Sequence, residues 1–181
     1  MSFRIVAVCT GNICRSPQVE YVLRSKLAAA GLTSVEVASC GIEGHESWPA
    51  DRRSDRVATA AGFPLASHRG RAINEADLSA GLLLALDEGH LSSLQALGAR
   101  GNSRLLMDFV HFNEPGKPLS SQVSVPDPYY EEPLAFDQVL AMIIAASDGL
   151  VCALKGLHAR PRETWSSSLM GDLEALRKSA Q

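Results

Sequence analysis

The chain predicts a three-layer α/β fold in which a four-stranded parallel sheet carries helices on both faces. Short apolar runs of strand length alternate with longer segments whose apolar residues recur every three or four positions, the order that strand–helix–strand crossovers produce. The run "GLLLAL" at 81–86 is apolar throughout, as a strand buried on both faces must be. Gly31 and Gly62 each stand just past a helical stretch, where a left-handed residue ends a helix.

Taken in order, "FRIVAV" at 3–8 forms the first strand, and a helix over 17–30 follows with Val19, Val22, Leu23 and Leu27 on one stripe. The second strand is "VEVAS" at 35–39, and the second helix runs from about Ala50 to Ala61. Asn74, with Asp77 three residues on, opens a helical turn. The third strand is "GLLLAL" itself, followed by a helix over 88–97 and a fourth strand over 103–110. An irregular stretch from Asn113 to Pro126 leads into a long helix from about Pro133 to Leu154. Residues 1–155 thus read as one domain. The tail 156–181 carries Arg160, Pro161 and Arg162, then Leu169, Leu173 and Leu176 at helical spacing, a short helix that either docks or frays.

A chain of 181 residues is long enough for one domain with a sizeable core. The formal charge of -3 offers no broad basic footprint, which argues against nucleic acid or an anionic membrane as partner. No apolar stretch is expected to span a bilayer, which takes about 20 residues, and "MSFRIVAVC" lacks the long apolar core of a signal peptide. A cytoplasmic setting is expected. Four cysteines, irregularly spaced and without paired Cys-x-x-Cys groups, suggest neither a disulfide framework nor a zinc site. Cys40 and Cys152 read as small buried apolar residues.

The stretch "CTGNICRS" at 9–16 carries chemistry. Cys9 ends the first strand, and Cys14 to Pro17 opens the next helix, with proline in the first turn where a missing N–H costs nothing. Between them Thr10, Gly11, Asn12, Ile13 and Cys14 must turn sharply. Gly11 and Asn12 tolerate positive φ, so successive backbone N–H groups can converge into a nest for an oxyanion such as inorganic phosphate. The helix N-terminus adds partial positive charge, and the planar fork of Arg15 matches two phosphate oxygens. Such surroundings also favour a cysteine thiolate. Cys9 is then placed for in-line attack on phosphorus to form a phosphocysteine, and the Ser16 hydroxyl can donate to its sulfur. The mechanism needs a proton donor for the leaving oxygen, and "VPDPYY" at 125–130 offers Asp127 between two stiffening prolines. Tyr129 and Tyr130 follow it and can line a slot for a flat ring.

Together "VCTGNICRSP" and "DPYY" resemble the low-molecular-weight protein tyrosine phosphatases, over about residues 3–155. The resemblance implies a four-stranded parallel α/β fold and phosphotyrosine-containing proteins as substrates, with neither metal nor other cofactor. It implies Cys9 as nucleophile, Arg15 as phosphate clamp and Asp127 as acid and then base. It also implies a supporting hydrogen-bond network of Asn12, Ser39 in "ASCG" and His68 in "ASHRGR".

Departures from the family pattern fall at the rim of the slot. Where the family usually carries an aromatic wall, this chain has "IEGHESW", shorter by about one residue than in many members, so that His45 or Trp48 is the candidate. The usual Ala-Met-Asp after the third strand is Ala85, Leu86 and Asp87 here, followed by Glu88, Gly89 and His90; Asp87 remains a supporting residue. Related arginine phosphatases place threonine where this chain has Ile13, which points to phosphotyrosine. An arsenate reductase on the same fold is the alternative, using a small thiol or other external reductant because the shuttle cysteine pair of the thioredoxin-coupled type is missing.

Overall fold

The computed structural model describes residues 2–99, 101–113 and 124–179. Most of the expected irregular stretch, 114–123, and the last two residues of the tail lie outside them. Four strands, β1 (Phe3–Cys9), β2 (Val35–Gly41), β3 (Leu82–Ala85) and β4 (Ser103–Leu105), form one parallel sheet in the order β2-β1-β3-β4. Around it lie α1 (Arg15–Ala29), α2 (Arg52–Ala60), α3 (Glu75–Leu78), α4 (Glu88–Ala96), α5 (Pro133–Gly156) and α6 (Trp165–Ser179). The β1–β2 register runs from Phe3 opposite Val35 to Cys9 opposite Gly41, and β1–β3 from Ile5 opposite Leu82 to Val8 opposite Ala85. Cys9 therefore stands at the carboxyl edge of an inner strand, at the point where successive strands diverge to either side.

Strand alternation fills both faces. Phe3, Ile5, Ala7, Leu82 and Leu84 point into a core shared with α1 and α5. Val6, Val8, Leu83 and Ala85 face the opposite way, onto Cys40, Leu94 and Leu105. Both sets are almost fully removed from water, which is why β1 and β3 read as continuous apolar runs rather than alternating ones. Gly31 and Gly62 take φ of 73° and 89° and end their helices as expected. Asn74 and Asp77 form the reciprocal cap of α3.

Three expectations need correction. The fourth strand covers only 103–105; the chain then winds into a 3₁₀ segment, Leu106–Phe112, which buries Leu106 and Phe109. A run as apolar as "LLMDFVHF" fits a strand or a buried helical turn equally well, and packing on α5 decides the matter. A Cβ at Gly149 of α5 would lie 1.8 Å from the Phe109 carbonyl oxygen, so glycine alone permits this approach. Second, α5 is long and apolar enough to cross a membrane by length and composition, contrary to the expectation that no stretch would be. Its Phe136, Val139, Ile143, Leu150 and Leu154 are instead built into the core against α1 and the 3₁₀ segment. Third, Cys152 on α5 is exposed rather than buried.

Beyond residue 155 the tail forms a second 3₁₀ turn, Arg162–Thr164, and α6. Trp165 is fully buried beside Phe3, with ring centroids 5.5 Å apart, and its Nε1–H donates to the Arg160 carbonyl at 3.2 Å. Arg162 stacks on the outer side of the indole, 3.6 Å from its centroid. Phe3 begins β1, so α6 docks at the end of the sheet remote from Cys9.

Candidate active site

The loop after β1 is shaped by one residue in an unusual conformation. Asn12 has φ of 55°, a left-handed backbone that asparagine tolerates better than most side chains. Gly11 does not share it, contrary to expectation. Glycine there lets the His45 ring pack down on the loop, since a Cβ would lie 2.8 Å from that ring. Asn12 is fully buried, and its side chain spends every polar atom. Nδ2 donates to Ser16 Oγ and to Ser39 Oγ, both at 2.9 Å, and Oδ1 accepts the Arg71 N–H at 3.0 Å. His68 Nε2–H donates to the Asn12 carbonyl at 2.7 Å, and burial pushes the His68 pKa down, favouring its neutral form.

Cys9 Sγ lies 3.0 Å from Ser16 Oγ, at the N-terminus of α1. Asn12 donates to the same hydroxyl, whose one proton is shared between the Cys40 carbonyl, at 3.3 Å, and the Cys9 sulfur. Cys14 differs from Cys9 in kind. Its thiol is buried, pairs with Ser54 Oγ at 3.0 Å, and has its pKa pushed up to about 12, chiefly by burial. It stays a thiol.

Arg15 is almost wholly buried, yet its guanidinium reaches the carboxyl edge of the sheet and is held on three sides. Nη1 donates to Asp87 Oδ2 at 2.8 Å and to the Val125 carbonyl at 3.1 Å, and Nη2 donates to Asp127 Oδ2 at 2.8 Å. Asp87 caps α4 by accepting the His90 N–H at 2.8 Å, and its contacts with His90 and Arg15 hold its carboxyl well below the usual carboxylate range despite burial. Val125 N–H donates to the Leu86 carbonyl at 2.7 Å, which fastens the proline-flanked loop beside the end of β3 and so delivers Asp127. Asp127 Oδ1 accepts the Tyr129 N–H at 3.1 Å.

Above the loop opens a pocket of about 320 Å³, lined by Cys9, Thr10, Gly11, Ile13, Cys14 and Arg15 below, and by Glu43, His45, Trp48, Asp127, Tyr129 and Tyr130 around the mouth. His45 and Trp48 form the wall jointly rather than as alternatives, stacked with centroids 4.6 Å apart. Their loop is pinned to the floor: Ile42, Glu43 and His45 donate backbone N–H bonds to the carbonyls of Cys9, Thr10 and Gly11 at 2.9, 3.0 and 3.0 Å. Tyr129 lies under Arg53, whose guanidinium is 5.3 Å from its ring centroid.

Of the residues expected at the site, Cys9, Thr10, Gly11, Ile13, Cys14, Arg15, Trp48, Asp127, Tyr129 and Tyr130 line the pocket, whereas Asn12 and Ser16, expected to meet substrate, do not. Asn12, Ser16, Ser39 and His68 stand behind the pocket, and Asp87 stands behind Arg15. Three residues escape the sequence reading, of which Glu43, on a loop without a motif of its own, lines the mouth of the pocket. Glu20 is buried and accepts the Ser39 hydroxyl at 2.5 Å while pairing with Arg24 at 2.6 Å; the i, i+4 series Ser16, Glu20, Arg24 on an otherwise apolar helix was its signal. His90 contacts Thr10 and Asp87, and its spacing three residues after a helix cap was the corresponding signal.

A parallel α/β sheet that brings a cysteine, an arginine and an aspartate to one pocket at its carboxyl edge defines a class of phosphatases. Residues 4–160 match the low molecular weight phosphotyrosine protein phosphatase family, and the chain belongs to it. A low molecular weight protein-tyrosine-phosphatase of Streptomyces coelicolor is 37% identical over 158 residues, 86% of this chain and 95% of the relative. The tyrosine phosphatase Wzb of Escherichia coli K30, solved with sulphate, superposes with a TM-score of 0.72 at 31% identity, covering 85% of this chain and 99% of that one. Wzb of Vibrio vulnificus, solved with benzylphosphonate, gives 0.71 at 28% identity, covering 83% and 98%.

Proposed function

We propose that this phosphatase hydrolyses phosphotyrosine in proteins through a phosphocysteine intermediate. Phosphate enters the nest of loop N–H groups, and the Arg15 fork exchanges the Asp127 carboxylate for two phosphate oxygens. The Cys9 thiolate, receiving the Ser16 hydroxyl proton bond, attacks phosphorus in line. The P–O bond to tyrosine breaks as the P–S bond forms, and Asp127, in its acid form, gives its proton to the departing phenolate. Water then attacks the phosphocysteine, Asp127 takes back a proton, and the thiolate and inorganic phosphate are released. The observation that carries this reading is the convergence of Cys9, Ser16, Arg15 and Asp127 on one pocket whose mouth is walled by His45, Trp48, Tyr129 and Tyr130. Ile13 lines the same pocket as a branched apolar side chain, which suits an aryl phosphate ester rather than a phosphorylated guanidine. The relatives solved with sulphate and with benzylphosphonate support an oxyanion, and an oxyanion carried on an aromatic group, as what such a protein binds. The decisive experiment is hydrolysis of phosphotyrosine with a chelator present. The parent is expected to be active and Cys9→Ser inactive, with a radiolabelled phosphoenzyme trapped by acid only in the parent. Turnover by Cys9→Ser, or a requirement for a divalent ion, overturns the proposal.

A further inference from the structure

His90 occupies a place that the mechanism above does not use. Its ring is nearly buried, on the first turn of α4. Nε2 lies 3.0 Å from Thr10 Oγ1, and Nδ1 lies 2.9 Å from Asp87 Oδ1 without the alignment of a good hydrogen bond. Thr10 lines the pocket directly after the nucleophile, and the other oxygen of Asp87 holds Arg15. One imidazole therefore touches both the floor of the anion nest and the carboxylate behind the guanidinium.

We propose that His90 is a positioning residue whose proton decides whether the Thr10 hydroxyl points into the pocket toward the bound oxyanion. This rests on the phosphatase reading of the pocket. In neutral His90 the nitrogen beside a carboxylate carries the proton, because a bare lone pair there would face negative charge. Nε2 is then an acceptor, and the Thr10 hydroxyl must turn its hydrogen away from the pocket to meet it. In the imidazolium form Nε2 becomes a donor, Thr10 Oγ1 accepts from it, and the hydroxyl hydrogen is released to the oxyanion. The same protonation places a second cation on Asp87, so that the carboxylate neutralises less of Arg15. Both changes act in one direction: oxyanion binding strengthens when His90 is charged, and a bound oxyanion favours the charged form. The charged and titratable groups around the ring are Asp87 at the head of its own helix, Arg15 of α1 reached through Asp87, Asp127 reached through Arg15, and Cys9 beside Thr10.

Sulfate is the probe, since it keeps its double charge at both pH values used. Its dissociation constant would be measured by calorimetry for the parent, His90→Ala and His90→Gln at about pH 5.5 and about pH 8. Taking the ratio of variant to parent at each pH removes the common contributions of Cys9 and Asp127. His90→Ala is expected to bind about tenfold more weakly at the lower pH, the size of one charge-assisted hydrogen bond, and as tightly as the parent or tighter at the higher. His90→Gln, which donates to Thr10 without titrating, is expected to hold an affinity whose ratio to His90→Ala does not change with pH. In hydrolysis at the lower pH, KM carries most of the change and kcat little. Ratios for His90→Ala that are equal at the two pH values overturn the proposal, whether the variant is uniformly weakened or unaffected. Melting temperatures identify a variant that fails to fold, and His90→Gln then carries the comparison against the parent. A parent that neither binds sulfate nor hydrolyses phosphotyrosine breaks the phosphatase reading itself, a result distinct from an active parent whose His90 variants show no pH signature.

Discussion

Asn12 at the floor of the pocket is fully buried and fully hydrogen-bonded, whereas Trp48 and Tyr130 at its mouth are 53% and 90% exposed. The floor residues hold one another: Glu20, Ser39, Asn12, Ser16 and Cys9 form one connected series from α1 through β2 to the sulfur. At the mouth the backbone is pinned to the floor by its N–H groups, and the aromatic side chains rest on one another and on Arg53 rather than in a buried network. The proposed chemistry thus rests on residues knit into the fold, and the proposed recognition on residues that are not. The difference teaches where specificity can be altered at little cost in stability.

Asp127 tests the boundary most severely, because it stands at the mouth yet is the proposed acid. Asp127→Ala is expected to lower kcat by about 10²–10⁴, the usual contribution of a general acid, with the largest loss on poor leaving groups such as tyrosine and little change in melting temperature. A comparison of phenyl and nitrophenyl phosphates measures this; equal losses on both would place the acid elsewhere. Asn12→Ala should strike folding and activity together. Removing three buried hydrogen bonds and a residue suited to positive φ should cost about 2 kcal/mol or more, a fall of roughly 4–8 °C in Tm for a chain of this size, read by thermal unfolding. If activity falls with Tm unchanged, the floor is not the folding unit described here.

Trp48→Ala should do the converse. Losing one face of the aromatic slot is expected to raise KM for an aryl phosphate about three- to tenfold, with kcat and Tm close to those of the parent. The smallest effect belongs to His68. Burial holds its folded pKa below the imidazole value of 6.5, so the unfolded chain takes up a proton first as pH falls. Stability should therefore be unchanged above about pH 6.5 and decline below it, by no more than about 1.4 kcal/mol per pH unit, until the folded pKa is passed. Denaturant titrations of the parent and His68→Gln measure the slope, and an identical slope in both would remove His68 from the account.

The floor was readable from eight consecutive residues because the constraints that make an anion nest are local: a strand end, a left-handed residue and a helix start must follow one another. Ser39 and His68 came only through family likeness, since their partners lie 27 and 56 residues away in the chain. Glu20 and His90 escaped because a carboxylate or an imidazole on a helix ordinarily faces water, and only the packed structure shows which face is covered. The fourth strand was overextended for a related reason. An apolar run records burial, and the choice between strand and 3₁₀ turn was made by a glycine some forty residues later, on α5. The rim loop 42–48 was least legible, because its geometry depends on N–H bonds to carbonyls of the floor rather than on its own composition.

The chain has two tryptophans, and the fold sends them to opposite ends of the sheet. Trp48 is half-exposed and stacked on His45 at the mouth of the pocket; Trp165 is sealed beside Phe3. Their emission should separate accordingly. The red, quencher-accessible component reports occupancy of the slot, and the blue, shielded one reports attachment of the C-terminal helix. A single unlabelled sample titrated with oxyanion and then with denaturant would follow the two events in turn, each by its own indole.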